Sequence, residues 1–357
     1  VRRASRVNPT SETVPSPASA PPRPARVAAL RSLMGRPDDS VRPFADAIRA
    51  VSRRSFDRHV MPLVRAHWPS MVGTAFAEKL RIGACDLYAS GPYTAFFCAP
   101  DRPPLVRAVT AVGDALPLPP WALARLAGVT VRALGRLAYA DQHRRIALVA
   151  AFIVVVDHAL DHVMTDAPAE RGARLSAVLE GEAPPDHPCL ALARALRVAM
   201  AQDLDRRDQR AFDAAMTQVY GWVDAEVRAM RGEPDPEGLG HRRAGVEGTI
   251  DGLLFPVVRF GARGARPWMI DVSMFVQLMD DWLDIDDDAR SDRDTPMVTG
   301  AWTFGDVARG WRDTLAGVES LARSAGMRSP RYHHFLREAY ALMMVDVMEA
   351  MAERPDA

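Results

Sequence analysis

From about residue 42 onward, apolar residues return at spacings of three and four, and no stretch alternates apolar with polar between turn residues. That period admits helices and little else. Helices are expected over residues 41–51, 57–88 with interruptions, 104–114, 120–138, 141–164, 172–179, 189–202, 207–231, 240–261, 267–288, 304–325 and 330–351. Pro104, Pro120, Pro267 and Pro330 stand at four of these starts, where a missing N–H costs nothing. The expected fold class is therefore all-α, as a single domain over 41–357. No repeat of fixed period is present.

Residues 1–40 differ in composition. Pro9, Pro15, Pro17, Pro21, Pro22, Pro24 and Pro37 punctuate Ser, Ala and Arg. A stretch of this kind buries too little apolar area to offset its ordering entropy, and a disordered tail is expected. An Arg/Ser-rich, acid-poor leader also has the composition of a transit peptide, but the amphipathic run is lacking.

Two acidic clusters carry the chemistry. The first is Val156-Asp157-His158-Ala159-Leu160-Asp161-His162, after the apolar run Ile146 to Val156. The second is Asp280-Asp281-Trp282-Leu283-Asp284-Ile285-Asp286-Asp287-Asp288, preceded by Gln277 and followed by Arg290. Both close stretches that read as buried helices, where carboxylates are costly unless a cation neutralises them. Asp157 and Asp161 are one turn apart on one helix face. Asp280, Asp284 and Asp288 follow i, i+4, i+8, and Asp281 lies within reach of the same ion. Oxygen ligands without cysteine suit Mg²⁺ or Mn²⁺, which share their shells with substrate phosphates. Anion partners would be arginines: Arg242, Arg243, Arg290 and Arg293, with Arg144 and Arg145 upstream of Asp157.

Each feature has a plainer reading. A lone DxxxD is most often a solvated face, and His158 and His162 are more often packed side chains than ligands. Asp286, Asp287 and Asp288 could be a solvated helix end, although acids at a C-terminus oppose the helix dipole. Phe152, Trp222, Phe255, Met274, Phe275 and Met279 would line a cavity near the clusters, yet such residues are usually plain core. What favours chemistry is the pair of clusters, each ending an apolar helix.

The segments resemble those of squalene and phytoene synthases. Val156 to His162 is similar to the first aspartate motif of that family. Gln277-Leu278, Asp284, Asp288-Ala289-Arg290, Arg293 and Pro296 resemble the second. Val246-Glu247-Gly248-Thr249-Ile250 with Pro256-Val257 resembles a helix between them. The likeness spans about residues 140 to 300. It implies a class I isoprenoid (terpenoid) synthase helical bundle that binds Mg²⁺ through both motifs and ionises an allylic prenyl diphosphate. By position, Asp157, Asp161, Asp284 and Asp288 would be metal ligands, and Gln277 and Arg293 would support the diphosphate. His158 and His162 replace acids of the family pattern, and Val154 stands where a basic residue is common. Asp280-Asp281 completes a DDxxD string, closer to terpene cyclases.

The expected activity is Mg²⁺-dependent ionisation of one prenyl diphosphate with pyrophosphate release, followed by cyclisation. Head-to-head coupling of two substrates is the near alternative. A di-metal carboxylate/histidine oxidase and a non-enzymatic helical protein are the distant ones. Chain elongation is disfavoured, because no segment resembles the co-substrate site and Lys79 is the only lysine. With formal net charge zero, no nucleic-acid partner is expected, and at most peripheral membrane contact. Cys85, Cys98 and Cys189 form no paired motif, which fits a reducing compartment, and a cytoplasmic location is expected. No apolar run is long enough to span a bilayer.

Overall fold

The computed structural model describes residues 21–87, 104–134, 140–164, 168–202, 262–290 and 295–353, with isolated positions between 91 and 94 and between 204 and 250. Every regular element among them is helical. In chain order these are α1 (Arg23–Met34), α2 (Arg42–His59), α3 (Met61–His67), α4 (Ala75–Ile82), α5 (Pro104–Ala115), α6 (Pro120–Leu134), α7 (Ala140–His158), α8 (Pro168–Glu180), α9 (Pro188–Ala201), α10 (Ala262–Leu283), α11 (Ile285–Arg290), α12 (Phe304–Ser324) and α13 (Pro330–Ala352). No helix among the described residues is long and apolar enough to cross a membrane. The segments expected to be helical at 207–231 and 240–261 lie largely outside the described residues.

Local chemistry explains most boundaries. Thr303 and Asp306 form a reciprocal capping box that starts α12: Thr303 N donates to Asp306 Oδ2 at 2.9 Å. Buried Val307, Trp311, Thr314, Val318 and Leu321 then make its inner stripe. Ser329 caps α13, accepting from Tyr332 N at 3.4 Å. Along α13, buried residues occupy all sides from Ala339 to Met344, which makes it the central helix. Close contacts demand small residues at helix crossings. A Cβ on Gly128 of α6 would meet Pro43 O of α2 at 2.9 Å.

The apolar core falls into two clusters. The first gathers α1, α2, α5, α6, α10, α12 and α13, with Phe275 against Trp311 at 5.3 Å between ring centroids. The second gathers α3, α4, α7, α8 and α9. Two helices join the clusters. In α2, Phe44, Ile48 and Val51 serve the first and Phe56 the second; in α7, Ile146 serves the first and Ala147 to Val156 the second.

Three expectations are corrected. Residues 21–40 are not a disordered tail. Pro22 precedes α1, Pro24 sits in its first turn, and Val27, Leu30 and Met34 bury one face in the first core, before a 3-10 turn over Asp39–Val41. Residues 1–20 lie outside the described residues. The helix expected to begin at Pro267 begins at Ala262 and carries Pro267 inside it. That same helix stops at Leu283 rather than continuing through Asp288.

Candidate metal and diphosphate site

The interruption at Asp284 reshapes the second cluster. Asp284 N still accepts its place in the ladder, donating to Asp280 O at 3.0 Å, but Asp284 itself lies in a bend. Its carbonyl receives Asp287 N and Asp288 N, each at 2.9 Å, and so opens α11. Asp286, Asp287 and Asp288 therefore occupy a first turn, where carboxylates complement the helix dipole. The mismatch that a continuous helix would have imposed does not arise.

Along this stretch Gln277, Asp280, Asp284 and Asp288 are half-buried, whereas Asp281 is 4% exposed. Helix α1 meets them with two guanidinium groups. Arg23 Nη1 donates to Asp284 Oδ1 at 3.2 Å and lies 3.7 Å from Asp287 Oδ2; its Nη2 donates to Met351 O at 3.3 Å. Arg26, 1% exposed, donates to Asp286 Oδ2 at 2.8 Å, Leu283 O at 3.0 Å and Pro21 O at 2.8 Å. Trp282 Nε1 returns a bond to Arg26 O at 3.4 Å. The hydrogen bond from Arg26, reinforced by its charge, holds the Asp286 carboxyl below the usual carboxylate range. On the far side, Thr295 Oγ1 donates to Asp288 Oδ2 at 3.3 Å.

The expected diphosphate arginines are distributed differently. Arg290 turns back onto Asp287 of its own helix. Arg243 pairs with Glu247, Nε to Oε1 at 2.9 Å, one turn away. It also opposes the rise that burial imposes on the Asp271 pKa, which places its field near α10 upstream of the acids. Arg144 donates to Ala199 O at 3.1 Å, and Arg145 is buried. Arg242 and Arg293 lie outside the described residues.

The first motif ends α7. Val155 and Val156 are fully buried, whereas Asp157 is exposed, so its carboxylate bears little desolvation cost. A π-helical turn spans Ala159–Val163, a feature that shifts the phase between Asp157 and Asp161. The Asp161 side chain lies outside what is described. His158 packs in an aromatic group: it stacks on Phe76 at 3.8 Å between centroids, with Trp68 at 5.9 Å and His162 at 4.9 Å. His187, which accepts from Cys189 N at 3.1 Å, abuts the same Trp68. The packed reading of His158 matches this contact.

Among the described residues, no three His, Cys, Asp or Glu side chains converge as a metal-ligand set. The two motifs sit in different core clusters: Leu160 belongs to the second, Met279 and Leu283 to the first. Phe152 and Phe275, two of the expected cavity residues, are likewise packed core in separate clusters. Trp222 and Phe255 lie outside the described residues. A surface cleft lined by Pro117, Pro119, Pro120, Pro330, Arg331 and His334 opens at the start of α13, while Arg23 touches its end at Met351. At 1.5 Å per residue those places are roughly 30 Å apart, so this cleft is separate from the second acidic motif.

The donor chemistry of the second motif nonetheless fits a hard dication. Asp280, Asp284 and Asp288 offer only oxygen and remain half-exposed, and Asp284 already pairs with the Arg23 guanidinium. What sequence reasoning missed is α1. Its signals were present: paired prolines before a start, then Val27, Leu30 and Met34 at helical spacing, with Arg23 and Arg26 one turn apart. The chain matches no family model and no curated protein.

Proposed function

We propose that this chain is a class I terpene synthase that ionises one allylic prenyl diphosphate with the help of Mg²⁺. The observation that carries the reading is the half-buried oxygen set Asp280, Asp284 and Asp288 at the exit of α10, a helix that buries Ile270, Phe275 and Met279 in the first core. Asp280, Asp284 and Asp288 would hold the ion from this side, and Asp157 and Asp161 from the other motif. When bound, Mg²⁺ supplies Lewis acidity toward the leaving diphosphate. Gln277 would orient the diphosphate, and apolar packing around the site would keep water from an allylic cation. Head-to-head coupling uses the same ionisation and differs in the second substrate.

One observation favours a second reading. Asp284, Asp286 and Asp287 are all paired with Arg23 or Arg26, so the acidic run also serves as the seat of α1 in a helical protein without catalysis.

The deciding assay incubates purified protein with farnesyl and geranylgeranyl diphosphates, with Mg²⁺ or with chelator. Mg²⁺-dependent pyrophosphate release with a hydrocarbon or alcohol product is the expected result, and the product's carbon count separates cyclisation from coupling. No release from any prenyl diphosphate would leave the seat-of-α1 reading in possession.

A further inference from the structure

The connection between α5 and α6 reads Leu116-Pro117-Leu118-Pro119-Pro120-Trp121. Apart from the indole N–H, these six residues carry no polar side-chain group. Two of them stand out of the surface: Leu116 is 51% exposed and Trp121 53%. The turn holds them there. Leu118 N donates to Leu116 O at 2.8 Å, the prolines fix φ, and Ala122 N and Leu123 N donate to Pro119 O at 3.0 and 3.2 Å as α6 starts. Leu123, Ala124 and Ala127 pin the inner face of α6 in the first core, which keeps Trp121 on the outside. Across the turn, Pro330, Arg331 and His334 of α13 complete a surface cleft with Pro117, Pro119 and Pro120.

Basic side chains surround this turn. Residues 104–134 contain Arg107, Arg125 and Arg132 and one acid, Asp114; residues 328–334 contain Arg328 and Arg331 and no acid. All of these arginines are exposed. Asp114 is engaged by the backbone, accepting from Arg328 N at 3.0 Å and from Ser329 N at 2.8 Å. Arg331 Nη1 donates to Pro117 O at 2.9 Å, which sets its charge beside the turn. The Arg125 guanidinium lies 5.9 Å from the Trp121 ring centroid. Val129, 59% exposed, follows Arg125 one turn further along α6. Arginine stems cover apolar surface while their heads reach outward, where they suit phosphate oxygens. A chain of formal net charge zero has thus gathered positive charge around exposed apolar residues.

We propose that the α5–α6 turn, with the start of α6 and the start of α13, docks on an anionic lipid surface. Leu116 and Trp121 enter the headgroup region, and Arg125, Arg328 and Arg331 meet lipid phosphates. Tryptophan suits that depth, because its ring is apolar and its N–H stays hydrated. The rigid turn keeps the ordering cost of insertion low. Charge favours lipid over a second copy of this chain: a two-fold contact would lay the same basic rim against itself. The surface lies at the opposite end of α13 from Met351, which Arg23 links to Asp284, so the proposal stands apart from any metal role of the acids.

The test is flotation of the full chain with vesicles of phosphatidylcholine alone, or mixed in equal parts with phosphatidylglycerol. It compares the wild type with the double variant Leu116→Ser, Trp121→Ser and with Arg125→Gln and Arg328→Gln. Every substituted side chain is exposed, so circular dichroism should match wild type. The wild type should float with the mixed vesicles and stay behind with phosphatidylcholine alone, and added salt should weaken its binding. The double variant should partition at least about tenfold less, the scale of two lost apolar side chains. Each arginine variant should partition about fivefold less, the scale of one basic residue at an anionic surface. Absence of wild-type binding to the mixed vesicles, equal binding to both kinds, or binding unchanged in the double variant overturns the proposal. Self-association in sedimentation that the double variant abolishes, with no vesicle binding, also overturns it and assigns the face to a second copy.

Discussion

Arg23 Nη1 lies 3.2 Å from Asp284 Oδ1, although 261 residues of chain separate them. The contact ties the first described helix to the break between α10 and α11. Arg31 and Glu349 extend the same docking with a bidentate pair between α1 and α13. Carboxylates at the end of a buried helix need a cation nearby. In this fold, guanidinium groups of α1 supply that charge.

The anchoring pair of Arg26 and Asp286 is unequal, because Arg26 is 1% exposed and Asp286 is 53% exposed. Asp286→Ala strands a buried positive charge with only carbonyl acceptors, and should destabilise the fold by about 2 kcal/mol in urea melts. Adding Arg26→Met to that variant should cost little more, since the stranded charge is then gone. The pair also fixes a pH dependence. Arg26 holds the folded pKa of Asp286 below its unfolded value. Its stabilisation is therefore complete above the ordinary carboxylate pKa, near 4, and is lost as pH falls through the folded value. Asp286→Ala should flatten that acid limb.

His143 in α7 gives a second, separate pH window. Burial, aided by Arg54, lowers its pKa to about 4 from 6.5. Between those values the unfolded chain takes up a proton that the folded chain refuses. Stability should be full above about pH 6.5 and fall by up to ~3 kcal/mol toward pH 4. His143→Leu should remove this slope in denaturant titrations run across the interval; an unchanged slope would show that other groups set it.

Gly128 tests the packing of α6 on α2. A side chain there meets the Pro43 carbonyl at 2.9 Å and Ala47 Cβ at 3.2 Å, and a backbone oxygen cannot swing aside. Gly128→Val should lower stability by about 2 kcal/mol. A thermal melt equal to wild type would mean that the two helices can separate at no cost.

For the acids themselves, Asp284→Asn should lower prenyl-diphosphate turnover by at least 100-fold on the scale of a lost charge-stabilising group, with circular dichroism unchanged. Asp157→Asn should do the same if both motifs act on one substrate. Retained turnover in Asp157→Asn alone would confine the metal to the second motif, in keeping with the exposure of Asp157.

The helical period was enough to read the all-α class, and the starts at Pro104, Pro120 and Pro330 were readable because proline's fixed φ and missing N–H act locally. The acid clusters were visible as composition at the ends of apolar runs. The break at Asp284 was not, because Asp280 to Asp288 has the spacing of an unbroken helix, and its alternative depends on what faces it. The spacing of Val27, Leu30 and Met34 in α1 was present but not decisive behind its prolines, since 12 residues make a marginal helix until a core receives them.

Local propensity and periodicity therefore determined which segments coil and where most of them start, since those energies lie within a few turns of the backbone. Tertiary structure decided which cation meets each carboxylate. Burial of Arg26, exposure of Asp157 and the pairing of Arg23 with Asp284 all arise from surfaces brought together across hundreds of residues, and no local term encodes them.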